Sequence, residues 1–155
     1  IIDYLKYNMR SQIYAKSLPM PIVEGCLKRL DIIDSPEGDA LRAQLWKVTR
    51  RLQEGFRELG LEIGPAEACV TPVHVKAGVN QAANIAVALR EEYHIFCSVV
   101  IYPVIPPGMV IFRVIPTAAH SMEDVERTLA AFKDMKERLD RGEFDKEMPN
   151  MALLR

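Results

Sequence analysis

Arg113 stands at the centre of "MVIFRVIPTAAHS" (109–121), where Val110, Ile111, Phe112, Val114 and Ile115 surround it in an apolar, strand-like run. Desolvating a guanidinium without a partner costs several kcal/mol. The position therefore calls for an anion, and a carboxylate or phosphate suits it, because the guanidinium fork bonds two oxygens at once. The bland counterpart is a structural ion pair with one of the 21 acidic residues of the chain. Two neighbouring stretches favour a site. "YPVIPPG" (102–108) predicts a stiff loop suited to a pocket mouth, with Tyr102 at its start, and "PTAAHS" (116–121) leads from the strand into a helix N-terminus.

Other chemistry-bearing patterns are missing from the sequence. It has no P-loop, no GxGxxG after a strand, no GxSxG elbow and no HExxH. His74, His94 and His120 are scattered, and His120, next to a helix start, suits a turn-fixing hydrogen bond. Cys26, Cys69 and Cys97 form no CxxC pair and read as buried free thiols of a reducing compartment, with no metal set.

The elements that must position Arg113 follow from periodicity. Ile22, Val23, Cys26, Leu27 and Leu30 keep helical spacing after "SLPMP", and Pro36 and Gly38 in "DSPEGD" mark a turn. Leu41, Leu45, Val48, Leu52, Phe56 and Leu59 predict a second helix that Gly60 caps. "ACVTPVHVK" (68–76) predicts a strand, at an edge because of Pro72. A short helix over 80–92, a strand in "IFCSVVIYPV" (95–104) and the arginine strand come next. Ser121 and Asp124 form a capping-box pair ahead of Val125, Leu129, Phe132, Met135 and Leu139. Four helices and three strands in this order fit an α+β fold, a small, mostly antiparallel sheet of about three strands covered on one face by helices.

A chain of 155 residues, 49% hydrophobic and 26% charged, can bury one sizeable core. Its net charge of -1 gives no basic footprint for nucleic acid or an anionic membrane. No apolar stretch approaches the roughly 18 residues of a membrane span, and "IIDYLKYNMR" lacks a signal-peptide pattern. The expectation is a cytoplasmic protein with no transmembrane segment.

The string "YPVIPPG…FRVIPTAAHSMEDVERTLAAF" resembles the C-terminal portion of the α-oxoamine synthases, pyridoxal-phosphate enzymes of the aminotransferase class I/II fold. "SLPMPIVEGCLKRLDII" and "RAQLWKVTRRLQEGFRELGLEIG" resemble the family's "SLPP" helix and "LW" helix, so the similarity runs over about residues 10–140. The members join an amino acid to an acyl-CoA with loss of CO2. They include serine palmitoyltransferase, glycine C-acetyltransferase and 8-amino-7-oxononanoate synthase.

The resemblance implies that Arg113 binds the α-carboxylate of the amino-acid substrate, while Tyr102 and its loop line the acyl-CoA channel. It also implies that "YAKSLP" (14–19) reaches the cofactor phosphate of a partner subunit, through the backbone N–H of Ala15 and the charge of Lys16. Ala15 departs from the hydroxyl residue common there. None of the lysines stands in the Ser/Thr-Lys-Gly-Gly-type context of the family's Schiff-base lysine, so no catalytic residue is assigned. The chain is expected to be the small C-terminal domain (18–141) of a homodimeric parent, with a connecting segment (1–17) and a polar tail (142–155), inactive alone. The members' substrates leave serine, glycine or alanine open, with a lean to serine palmitoyltransferase. The alternative, from another class, is a stand-alone α+β binding or assembly module in which Arg113 forms a structural ion pair.

Overall fold

The computed structural model describes residues 1–145, in two compact units that divide between Ala40 and Leu41. The first holds α1 (Ile2–Asn8), α2 (Arg10–Ile13), α3 (Met20–Ile33) and the first residues of α4 (Pro36–Glu58). Helices α1 and α2 form within the expected connecting segment, where their lack of apolar periodicity hid them. No residue of α1, α2 or α3 is buried, and Leu27, Leu30 and Ile33 are each at least half exposed. Cys26 on α3 is exposed rather than buried, because the apolar stripe it belongs to has no cover among the described residues.

The expected turn at "DSPEGD" is shorter than its composition implied. α3 ends at Ile33 and α4 starts at Pro36, with the Ser35 hydroxyl accepting from the Gly38 N–H at 3.3 Å. Pro36 therefore serves as the first residue of the helix, where its missing N–H is harmless. Gly38 is there for close approach: a Cβ on it would lie 2.3 Å from the Ile32 carbonyl oxygen.

The second unit contains the rest of α4, β1 (Thr71–Val75), α5 (Val79–Tyr93), β2 (Ser98–Val100), β3 (Val110–Val114) and α6 (Met122–Asp140). The sheet order is β1-β3-β2, with both pairs antiparallel. β3 is therefore central. β1 carries on its far side a bridge from Glu62 to His74, so Pro72 takes the edge position its missing donor requires. β2 is shorter than the apolar run 95–104, since pairing stops at Val100, ahead of the prolines of the following loop.

Strand alternation divides the sheet into two faces. Val73, Val110, Phe112 and Val114 turn inward onto Val48, Leu52 and Phe56 of α4, Ile85 and Leu89 of α5, and Val125, Leu129, Phe132 and Met135 of α6. Phe132 sits between layers, with ring centroids 5.0 Å from Phe56 and 6.3 Å from Phe112 in edge-to-face geometry. The fold class is thus as the sequence implied.

Helix ends behave as the sequence indicated. Gly60 has φ +68°, and the Leu61 N–H returns to the Phe56 carbonyl at 2.9 Å, closing α4 with a left-handed cap. Lys136 of α6 adds a 2.6 Å bond to the Leu59 carbonyl. Ser121 accepts from the Asp124 N–H at 3.1 Å, and the Asp124 carboxylate accepts from the Ser121 N–H at 2.9 Å. The Ser121 N–H and hydroxyl, both donating to it, hold the Asp124 carboxyl below its ordinary range. α6 continues to Asp140, and Phe144, three residues into the expected polar tail, is buried in the core with Arg138 over its ring at 5.0 Å. The remainder of that tail, 146–155, lies outside the described residues.

α4 and α6 approach closely at Gly55, where an added Cβ would fall 2.3 Å from Leu129 Cδ1 and 3.0 Å from Leu129 Cγ. The whole Leu129 side chain would have to move, and it is packed in the core. Gly55→Ala is therefore expected to destabilise the fold by about 1–3 kcal/mol despite the gain in helix propensity. Denaturant titration checks this; an increase in stability would mean that the two helices are not in contact here.

Candidate functional site

Arg113 lies on β3 opposite Pro72 of β1 and Ser98 of β2. Cross-strand partners point to one face, so the outer face of the sheet carries Pro72, His74, Ser98, Val100, Ile111 and Arg113. Arg113 is exposed, whereas Phe112 and Val114 on either side are buried. The desolvated arginine expected from its apolar neighbours is thus corrected by the period of 2. Its neighbours in sequence face the core, and its own side chain faces away from it.

Among the described residues Arg113 has no hydrogen-bond or ion-pair partner. The structural ion pair required by the binding-module alternative is absent among them. Two other arginines of this unit show what pairing looks like here. Arg51 holds Glu126 with bonds of 2.8 and 3.1 Å, and Arg138 holds Glu92 with bonds of 2.7 and 3.2 Å. Arg113 instead offers its whole guanidinium fork on an open surface, fixed only at its backbone.

The other outer-face side chains are mainly apolar, but Ser98 is not. Its hydroxyl oxygen is buried and has no hydrogen-bond partner among the described residues. Sequence reading passed over it, because a serine in an apolar strand carries no motif. The cross-strand register was the missing information.

Tyr102 is exposed, at 60%, in the loop between β2 and β3. That loop joins β3 at Val110, three residues before Arg113, a separation of about 10 Å along the strand. Tyr102 and Arg113 therefore belong to opposite ends of β3. Ala15 and Lys16 are exposed in the first compact unit, in the stretch between α2 and α3.

His120 fixes a turn, as its place before a helix implied. Its Nδ1 accepts from the Thr117 N–H at 2.9 Å, with Thr117 Oγ1 also at 2.9 Å, and its own N–H bonds the Thr117 carbonyl at 3.2 Å. Gln44 Nε2 of α4 donates to the His120 carbonyl at 3.3 Å. The cleft of about 240 Å3 at this end of β3 is lined by Val114, Ile115, Pro116 and His120, not by Arg113. Cys97, just ahead of β2, has its thiol pushed up to about 11 by burial, which disfavours the reactive thiolate. No helix of the described residues is long and apolar enough to cross a membrane.

Comparison with known proteins places this arrangement. The chain is 48% identical, over 97% of its length, to a cysteate-C-fatty acyltransferase of Capnocytophaga ochracea. It is 34% identical, over 85% of its length, to an 8-amino-7-oxononanoate synthase of Symbiobacterium thermophilum. These alignments cover 37% and 33% of the two relatives, so the chain spans about a third of their length. Among solved structures, serine palmitoyltransferase of Sphingomonas wittichii matches with a TM-score of 0.76 at 28% identity, over 88% of this chain and 34% of that one. A serine palmitoyltransferase solved with PLP shares the fold, with a TM-score of 0.77 at 21% identity over 90% of this chain and 34% of that one. The group to which the motifs around Arg113 pointed is the group these proteins come from. The aminotransferase class I and II description matches residues 1–132, and the chain belongs to that family.

Proposed function

We propose that the intact protein is a pyridoxal-phosphate-dependent acyltransferase that condenses a small amino acid with a fatty acyl-CoA, releasing CO2 and the CoA thiol. In this reading Arg113 takes the α-carboxylate of the amino acid. The observation that carries it is the unpaired guanidinium, exposed on the central strand and facing away from the core. Held by two oxygens, a carboxylate has its bond to Cα set in one direction, and that direction decides which bond at Cα breaks. One bond, Cα to carboxylate, is lost as CO2. One forms, from Cα to the acyl carbon, as the thioester bond to CoA breaks, with a net uptake of one proton.

Cysteate is the proposed amino acid, supported by the 48% identity to a cysteate-C-fatty acyltransferase. Serine is the second reading, supported by the fold and 28% identity shared with serine palmitoyltransferase. They differ in carrying a sulfonate or a hydroxyl on Cβ. Tyr102 and the loop after it remain the proposed acyl-CoA contact, consistent with the exposure of Tyr102 and Val104.

Pyridoxal phosphate, when bound, supplies the electron sink that lets a bond at Cα break heterolytically. Residues present here fit one part of that group, its phosphate. Lys16 offers an exposed ammonium, and no backbone bond among the described residues engages the N–H groups of Ala15 or Lys16. The residue that would bond the cofactor covalently is proposed to lie outside 1–155, so the chain alone should be inactive. Residues 18–141 then act as the small domain of a cytoplasmic homodimer, joined through 1–17 and followed by the tail 142–155. The exposed apolar stripe of α3 supports further covering surfaces in the intact assembly.

The test is an absorbance titration of the intact protein, loaded with pyridoxal phosphate, against cysteate, serine, glycine and alanine. A saturable change in the cofactor band is expected with cysteate at the lowest concentration. Saturation first with serine moves the assignment to the second reading. No response to any of the four overturns the acyltransferase reading.

A further inference from the structure

We infer that Ser98 is a positioning residue for Arg113: its hydroxyl accepts a guanidinium N–H when an anion is bound, fixing the plane in which the fork meets the carboxylate. The inference rests on the proposed role of Arg113. It starts from an anomaly, because a buried hydroxyl without a partner is destabilising and folded proteins leave few of them.

Among the side chains of the sheet, the register brings one polar partner opposite Ser98. On the outer face the polar side chains of the three strands are His74, Ser98 and Arg113. His74 sits two strands away from Ser98 and two residues along, a distance of about 12 Å. Arg113 is directly opposite Ser98 on the neighbouring strand, with Cβ atoms about 4.5–5.5 Å apart in such pairs. A guanidinium on its flexible stem spans that gap easily.

The donor inventory supports the same division of labour. A guanidinium carries five N–H groups, and a carboxylate gripped by two oxygens uses two of them. A third is free to turn toward Ser98. The hydroxyl oxygen is itself shielded from solvent, so it is placed to hold the arginine rather than to meet the substrate. In this proposal the hydroxyl holds the fork once a carboxylate has oriented it, so it contributes to the bound complex rather than to the protein without substrate.

That asymmetry makes a test possible that an ordinary structural serine would not pass. In the intact holoprotein, Ser98→Ala is expected to raise the amino-acid KM about fivefold, with the acyl-CoA KM unchanged and the Tm without substrate equal or higher. Ser98→Thr, which keeps the hydroxyl, should stay within about twofold of the unaltered protein. In an Arg113→Ala background, Ser98→Ala should change the amino-acid KM by less than about twofold, because the serine acts through the guanidinium. An unchanged KM in Ser98→Ala, an equal increment in the Arg113→Ala background, or a lowered Tm overturns the inference. Should the unaltered protein itself show no saturable amino-acid response, the acyltransferase reading fails and the inference falls with it. A normal response in both proteins sinks only the role of Ser98.

Discussion

Arg113→Ala in the intact protein should raise the KM for the amino acid by about 10- to 100-fold, the equivalent of losing a charge-assisted bond worth about 1.5–3 kcal/mol. The acyl-CoA KM should stay within about twofold, since Tyr102 and its loop lie at the other end of β3. Stability should hardly move, because Arg113 is exposed and has no partner among the described residues to leave unsatisfied. Arg113→Lys should recover only part of the affinity, as an ammonium keeps the charge but cannot present two parallel N–H groups. Steady-state kinetics with each substrate varied in turn, beside thermal unfolding, separates these effects. An unchanged amino-acid KM would remove Arg113 from the site, and a large loss of stability would return it to a structural role.

The largest stability effect is expected at Phe132. Its ring meets Phe56 of α4 and Phe112 of β3, so one side chain of α6 ties both helices to the strand that bears Arg113. Phe132→Ala should cost about 3–5 kcal/mol, combining lost burial with the cavity left between rigid neighbours. For a domain of ordinary stability, about 5–15 kcal/mol, that is about a fifth of the total or more. Denaturant unfolding of the intact protein measures it. A loss below about 1 kcal/mol would show that the layers close over the gap, and the edge-to-face cluster would not be the centre of the core.

Much of this architecture is legible in the residues themselves, for identifiable reasons. The apolar periods of α4 and α6 are long, and both ends carry local chemistry, the positive-φ glycine at 60 and the Ser121–Asp124 capping pair. α1 and α2 were hidden because short helices with every residue exposed leave no periodic trace. Composition alone makes Pro36 and Gly38 a turn signal. Their roles depend on what surrounds them: a helix start for the proline and two carbonyls behind the glycine.

The site divides in the same way. Arg113 stood out as a charge in an apolar run, but its orientation required knowing that the run alternates rather than being buried throughout. Ser98 became visible only through its register with Arg113, since pairing between β2 and β3 is a long-range property that no local pattern encodes. Tyr102 and Arg113 are near in sequence yet lie toward opposite ends of β3. A strand converts a few residues of sequence into a real distance.

Because β3 is paired on both sides, the Cα of Arg113 is held by ladders to β1 and β2 at the same level of the sheet. The entropy still to be lost on anion capture is then that of one side chain and none of the backbone. An arginine on a loop would have to be ordered first. Drift in the edge strands or in the loop over 101–109 also leaves its origin in place, so on the proposed role of Arg113 that loop could change without moving the guanidinium.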